Sequence, residues 1–237
     1  MGLLDLPGPL LAWIDGLLSS VPSLLRLLLW GAAAGALSMW LYRAVSPQAR
    51  IARSKQEQLE ARRRLDAFDG ELAEAWPLIR RLLRLSLGHV ARVSGPAVLA
   101  SLPVLFLLVW ISTAYGHAFP SEPPPVRVVP EPLQAQWLPG NDQGPRIRVT
   151  GAGRKTLAEV PVTAPVPVIE KWHWWNALVG NPAGYLDREG PAERLEIALP
   201  RRQFVSAGPR WMRGWEVPFF ASLLVVSLWL KRLLAIH

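Results

Sequence analysis

The chain has 237 residues, 51% of them hydrophobic, with a mean hydropathy of +0.20 and a formal charge of +8. A soluble domain seldom joins that much apolar content to 26 Lys and Arg, whereas a small multi-pass membrane protein does. Cysteine is absent, which excludes disulfide staples, thiolate chemistry and Cys-based metal sites.

Residues 1–23 contain Asp5 and Asp15 but no Lys or Arg, so they lack the positive n-region of a secretory signal. Leu10, Leu11, Trp13, Ile14, Leu17 and Leu18 fall near helical spacing, and the segment reads as a short amphipathic helix on the outer face of a membrane, or as a frayed apolar tail. A first transmembrane helix is expected over 24–43, long enough to cross about 30 Å of hydrocarbon. Gly31 and Gly35, extended by Ala32 and Ala36, give it a small-residue face for close helix packing, and Ser38 lies in the same span. Arg26 stands near its outer end as either a functional intramembrane cation or a snorkelling one, and Arg43 marks the inner end.

Residues 44–94 are polar and strongly basic. Lys- and Arg-rich short loops stay cytoplasmic, so this segment sets the facing ends of both flanking spans inside. Ser46-Pro47 reads as a helix start with Ser as cap, and Leu65, Phe68, Leu72, Ala75, Ile79, Leu82 and Ser86 form an apolar seam. Gly70 and Pro77 either split the run into a hairpin of 46–69 and 71–93 or kink one long helix. The hairpin is preferred because it buries the seam, with its second half lying along the head groups before the chain enters the bilayer. Arg62, Arg63, Arg64, Arg80, Arg81 and Arg84 are its candidate partner-binding residues.

The second span is expected over 95–116, opened by Pro96 and kinked at Pro103, with Ser101 as a candidate polar group inside it. Residues 117–213 then form an outside, Pro/Trp-rich segment. After an extended spacer at 119–125, strand-like pieces are expected at 126–129, 133–138, 146–150, 157–162, 166–169, 195–199 and 203–205, forming a small β-sandwich or partial sheet. The turn signals are at 139–142 and 151–153. Trp172, Trp174 and Trp175 belong to a short helix or loop directed at the outer interface. The third span and a short cytoplasmic tail occupy 214–237. Only about fourteen apolar residues precede Lys231 and Arg232, roughly 21 Å of rise, unless residues 233–236 extend the helix.

The expected fold is thus an α-helical integral membrane protein with three transmembrane helices, a cytoplasmic helical hairpin and a small β-rich extracytoplasmic insertion. Its N-terminus is outside and its C-terminus inside. The Ala, Leu, Arg, Pro and Gly bias is that of a GC-rich bacterial genome, making the bacterial inner membrane the expected location.

No catalytic motif stands out. His89, His117, His173 and His237 have no partner at a metal-ligand spacing, so neither metal nor other cofactor is expected. The 151–155 stretch reads as a turn more than a phosphate loop, and a His173 pair with Asp187 or Glu189 is the remaining thought toward an enzyme acting at the outer leaflet. The pI of 10.7 does not imply specific nucleic-acid recognition, because the cations adjoin apolar spans and face lipid head groups.

The order of parts, with its basic hairpin opening at Ser46-Pro47-Gln48-Ala49-Arg50, resembles the three-helix core of the YidC/Oxa/Alb insertase superfamily. The likeness is to archaeal YidC-like proteins and the EMC/TMCO branch, over about 21–116 and 214–237. It implies a shallow intramembrane groove that passes short polar segments through a thinned bilayer, with nascent membrane proteins or the ribosome as partners. Arg26, Gly31, Gly35, Ser38, Arg43 and Ser101 are the groove or packing candidates. The chain differs from that pattern in having only three Met and a large outside insertion. The alternative is a non-catalytic scaffold subunit that docks a membrane or exported partner through residues 117–213.

Overall fold

The computed structural model describes residues 2–140, 144–151 and 155–234, without the side chains of Leu72 and Ala73. Parts of the two turn signals, the Leu72 member of the seam, the extension to 236 and His237 lie outside the described residues. The fold is mixed helix and sheet. Among the described residues two helices are long and apolar enough to cross a membrane, one at Ser23–Val45 and one covering Glu74–Ala114.

The chain divides into two compact units. The first comprises residues 1–28 and 105–220, the second 29–104 and 221–237. In order, the helices are α1 (Gly8–Leu17), α2 (Ser23–Val45), α3 (Gln48–Asp66), α4 (Leu72–Ala114) and α5 (Glu216–Leu233). The strands described between α4 and α5 are β1 (Val126–Val129), β2 (Gln134–Leu138), β3 (Arg146–Thr150), β4 (Thr156–Pro161), β5 (Val168–Glu170) and β6 (Arg194–Ile197).

Within the first unit, these strands form two antiparallel three-stranded sheets, β1-β6-β5 and β2-β3-β4. Alternation places Ile147 and Val149 of β3, Leu195 and Ile197 of β6, Trp137 of β2 and Ile169 of β5 in one hydrophobic core. Residues 203–205 form no strand. Nearby backbone bonds instead tie Phe204 to Arg213 and Arg202 to Gly116, making this a connection and not a ladder.

In the second unit α3 packs antiparallel to the first half of α4. Gln58 Nε2 donates to Ser86 Oγ at 2.7 Å and Arg92 Nη1 to Ser54 Oγ at 3.0 Å. Ile51, Ser54 and Ala61 are buried on one face of α3, spaced like a coiled-coil seam. The expected seam beginning at Leu65 is therefore divided: α3 ends at Asp66, leaving Phe68 in the connection and Ala75 buried on α4. Ser46 does not cap α3. Its hydroxyl accepts from Gln48 Nε2 at 2.8 Å, while Pro47 precedes the first helical residue.

α4 is one helix of 43 residues that runs through Pro77, Pro96 and Pro103 without a break at 94/95, so Pro96 lies inside a helix and does not begin one. Each proline forfeits one backbone hydrogen bond, and the apolar turns around it continue the helix.

Candidate functional site

Three assemblies of polar or aromatic side chains stand apart from ordinary packing. In the first unit, the C-terminal part of α1, the start of α2 and the residue after α4 are joined through Asp15. Arg26 Nη1 donates to Asp15 Oδ2 at 2.7 Å, and the Tyr115 hydroxyl donates to Oδ1 at 2.5 Å. The Arg26 guanidinium also lies 5.8 Å from the Tyr115 ring centroid. Tyr115 is buried, with Trp110 at 6.0 Å edge-on and Phe204 at 5.8 Å. Arg26 is thus ion-paired with a carboxylate from α1.

The amino-terminal residues are tied to the β domain in the same unit. Asp5 Oδ2 accepts from the backbone N–H of Gly2 at 2.7 Å and of Gly180 at 2.6 Å, and Leu4 N donates to the Leu178 carbonyl at 2.9 Å. On α1 and the short turn before it, Leu6, Leu10, Trp13 and Leu17 are all more than half exposed. Their spacing of four, three and four makes a single apolar face. The loop that α1's leader docks on carries a further aromatic surface. Trp174 is 72% exposed and Trp175 46%, with the two rings edge-to-face at 5.8 Å. Trp172 is also exposed and lies under the Arg188 guanidinium at 5.4 Å.

His173 stacks on Trp175 at 4.4 Å between centroids, while Asp187 Oδ1 accepts from the Glu189 N–H at 3.2 Å. These contacts give each group a structural use. Among the described residues no group of three or more His, Asp or Glu is placed to hold a metal ion. His117 bridges Arg201 backbone to backbone; burial, reinforced by the Arg201 charge, holds its imidazole below the ordinary range.

In the second unit, the sequence candidates divide by use. Gly35 is buried where a methyl group would meet the Leu223 carbonyl oxygen at 2.8 Å and Ser227 Oγ at 2.9 Å, so its small size lets α2 approach α5. Gly31 is buried one turn earlier. Ser38 Oγ donates to the Ala100 carbonyl of α4 at 2.6 Å, whereas Ser101 Oγ donates to Val98 within its own helix at 2.7 Å. Arg43 is exposed at the end of α2. Arg62, Arg63 and Arg64 form an exposed cationic run closing α3, where Arg62 lies 3.9 Å from Asp66. Arg80, Arg81 and Arg84 are exposed along α4, Arg80 with its guanidinium 5.1 Å from the Trp76 ring centroid.

Asp5 and Asp15 were not candidates from sequence. The signal available was two carboxylates in an otherwise apolar, cation-free amino-terminal stretch, which is costly unless each finds donors.

No protein-family model, curated protein or solved structure matches the chain.

Proposed function

We propose that the chain is a three-span protein of the bacterial inner membrane, with the N-terminus and β domain outside and the α3–α4 pair and C-terminus in the cytoplasm. It acts as a non-enzymatic, YidC/Oxa-like insertion factor. Membrane embedding is supported by how little apolar surface is hidden. Only 28% of the α2 span window and 17% of the α4 window are buried, although both are strongly apolar. In water such exposure costs about 25 cal/mol per Å², and in lipid it costs nothing. α5 is the third span, an apolar run from Val217 to Leu230 closed by Lys231 and Arg232.

The observation that carries the functional reading is the antiparallel α3–α4 pair, with exposed arginines at the end of α3 and along the first half of α4, the helix that continues into an apolar run long enough to span a membrane. Such a cationic pair suits a polyanionic or nascent-chain partner at the membrane surface. The test reverses Arg62, Arg63 and Arg64 to Glu and measures ribosome co-sedimentation at low salt, together with insertion of a short reporter protein into proteoliposomes. Loss of both supports the proposal; retention of both overturns it.

A scaffold role is the second reading, and a specific observation favours it. Ser38, Ser101 and Gly35 engage neighbouring backbone or helices, and Arg26 is paired, so these groups serve helix packing more than a polar groove. Under this reading one membrane or exported partner copurifies stoichiometrically and is lost when residues 119–213 are replaced by a short linker.

A further inference from the structure

A cleft of about 520 Å³ lies in the first unit between α1, the last turns of α4 and the 181–185 loop. Pro9, Ala12, Val109 and Trp110 supply apolar wall, and Asp5 and Tyr185 supply polar atoms. That size and composition are those of a small-ligand site, a mostly apolar concavity with a few placed polar groups.

The hydrogen-bond inventory of those two residues identifies what is unused. Asp5 spends Oδ2 on the Gly2 and Gly180 N–H groups, and among the described residues Oδ1 accepts from none. The Tyr185 hydroxyl oxygen accepts from Asn181 N at 3.0 Å, leaving its proton to be donated. One negative acceptor and one neutral donor therefore accompany the apolar walls. Among the described residues no Lys, Arg or His lines the cleft, so an anionic head group would meet a carboxylate with no counter-charge there.

We infer that this cleft binds one phospholipid bearing a primary ammonium head group, phosphatidylethanolamine, with its ammonium on Asp5 Oδ1, its phosphate or ester region on the Tyr185 hydroxyl and an acyl chain against Val109 and Trp110. A primary ammonium offers three N–H donors to the carboxylate. The trimethylammonium of phosphatidylcholine offers none, and phosphatidylglycerol carries net negative charge. The assignment rests on the membrane reading of α4 given above, since it takes the ligand from the outer leaflet.

The test uses the full chain in two steps. Carbonate extraction of membranes first separates the two claims: release of the protein overturns the membrane reading and the lipid site together. Retained protein is then delipidated in mild detergent and titrated with phosphatidylethanolamine, phosphatidylcholine or phosphatidylglycerol by native mass spectrometry. The expected result is one bound phosphatidylethanolamine, about tenfold tighter than either other lipid, the value of one charge-assisted hydrogen bond. Asp5→Asn should bring phosphatidylethanolamine down to phosphatidylcholine. Because Asp5 also holds Gly2 and Gly180, Ala12→Trp serves as the second variant: it fills the cleft from an exposed helix position and should abolish binding with the unfolding temperature unchanged. Equal binding of all three lipids by the unmodified chain, or undiminished binding by Ala12→Trp, overturns the site.

Discussion

Tyr115 donates its phenolic proton to Asp15 across 100 residues of sequence, and the other Asp15 oxygen is the one that receives Arg26. A single carboxylate thereby fixes α1 to the start of α2 and the end of α4. The side chains of Asp15 and Arg26 are only 16% and 19% exposed, so water contributes little to either charge.

Removing the acid alone leaves that cation without compensation. Asp15→Ala should destabilise the protein by about 3 kcal/mol, read as a fall in thermal midpoint in detergent. Pairing it with Arg26→Met should recover most of the loss, because no uncompensated charge remains. A double variant worse than Asp15→Ala would show that the cluster stabilises by attraction and not merely by compensation.

Helix glycines should respond in opposite directions. Gly35→Ala forces a methyl group against the Leu223 carbonyl and is expected to cost about 1–3 kcal/mol. Gly95→Ala meets nothing within 4 Å inside α4 and should stabilise by about 0.5–1 kcal/mol, through the lower backbone entropy lost on folding. Thermal unfolding of the two single variants checks both signs.

Proton linkage at His117 has a definite sign. Its imidazole titrates below 6.5 in the folded chain, so between that lower value and 6.5 the unfolded chain binds more protons. Stability is complete above pH 6.5 and falls as the pH drops through that window. Arg201 adds to the depression and Glu216 opposes it. His117→Gln should flatten this part of a pH–stability curve, and an unchanged curve would remove His117 as its source.

The absence of cysteine makes topology directly measurable. With a membrane-impermeant maleimide on intact spheroplasts, Glu131→Cys should label at once and Lys55→Cys only after permeabilisation. The reverse pattern would invert the proposed orientation.

Much of this architecture is legible from composition and periodicity. The alternating strands at 126–129 and 146–150 and the apolar run of α2 follow from local pattern, and the observed elements lie at or near those positions. What escapes is long-range or continuous. Pro96 reads locally as a helix start, yet the helical turns on both sides favour continuation at the loss of one hydrogen bond. Arg26 reads as a lone cation because its partner is eleven residues away on another helix. Asp5 reads as an obstacle to a signal peptide, and only the fold brings the Gly180 N–H to it. Residues 203–205 are not a strand, and the Phe204 N–H bonds the Arg213 carbonyl, a partner that local pattern does not reveal.

The strand order also carries a consequence for biosynthesis. β6 is the central strand of its sheet, flanked by β1 and β5, and is also the last strand to be made. Until Ile197 emerges, Val126–Val129 and Val168–Glu170 have no ladder partner and wait as open edges. A nascent chain stalled before Arg194 therefore exposes both, while one released a few residues later closes both at once. Completion of this sheet marks that most of the segment between α4 and α5 has been synthesised.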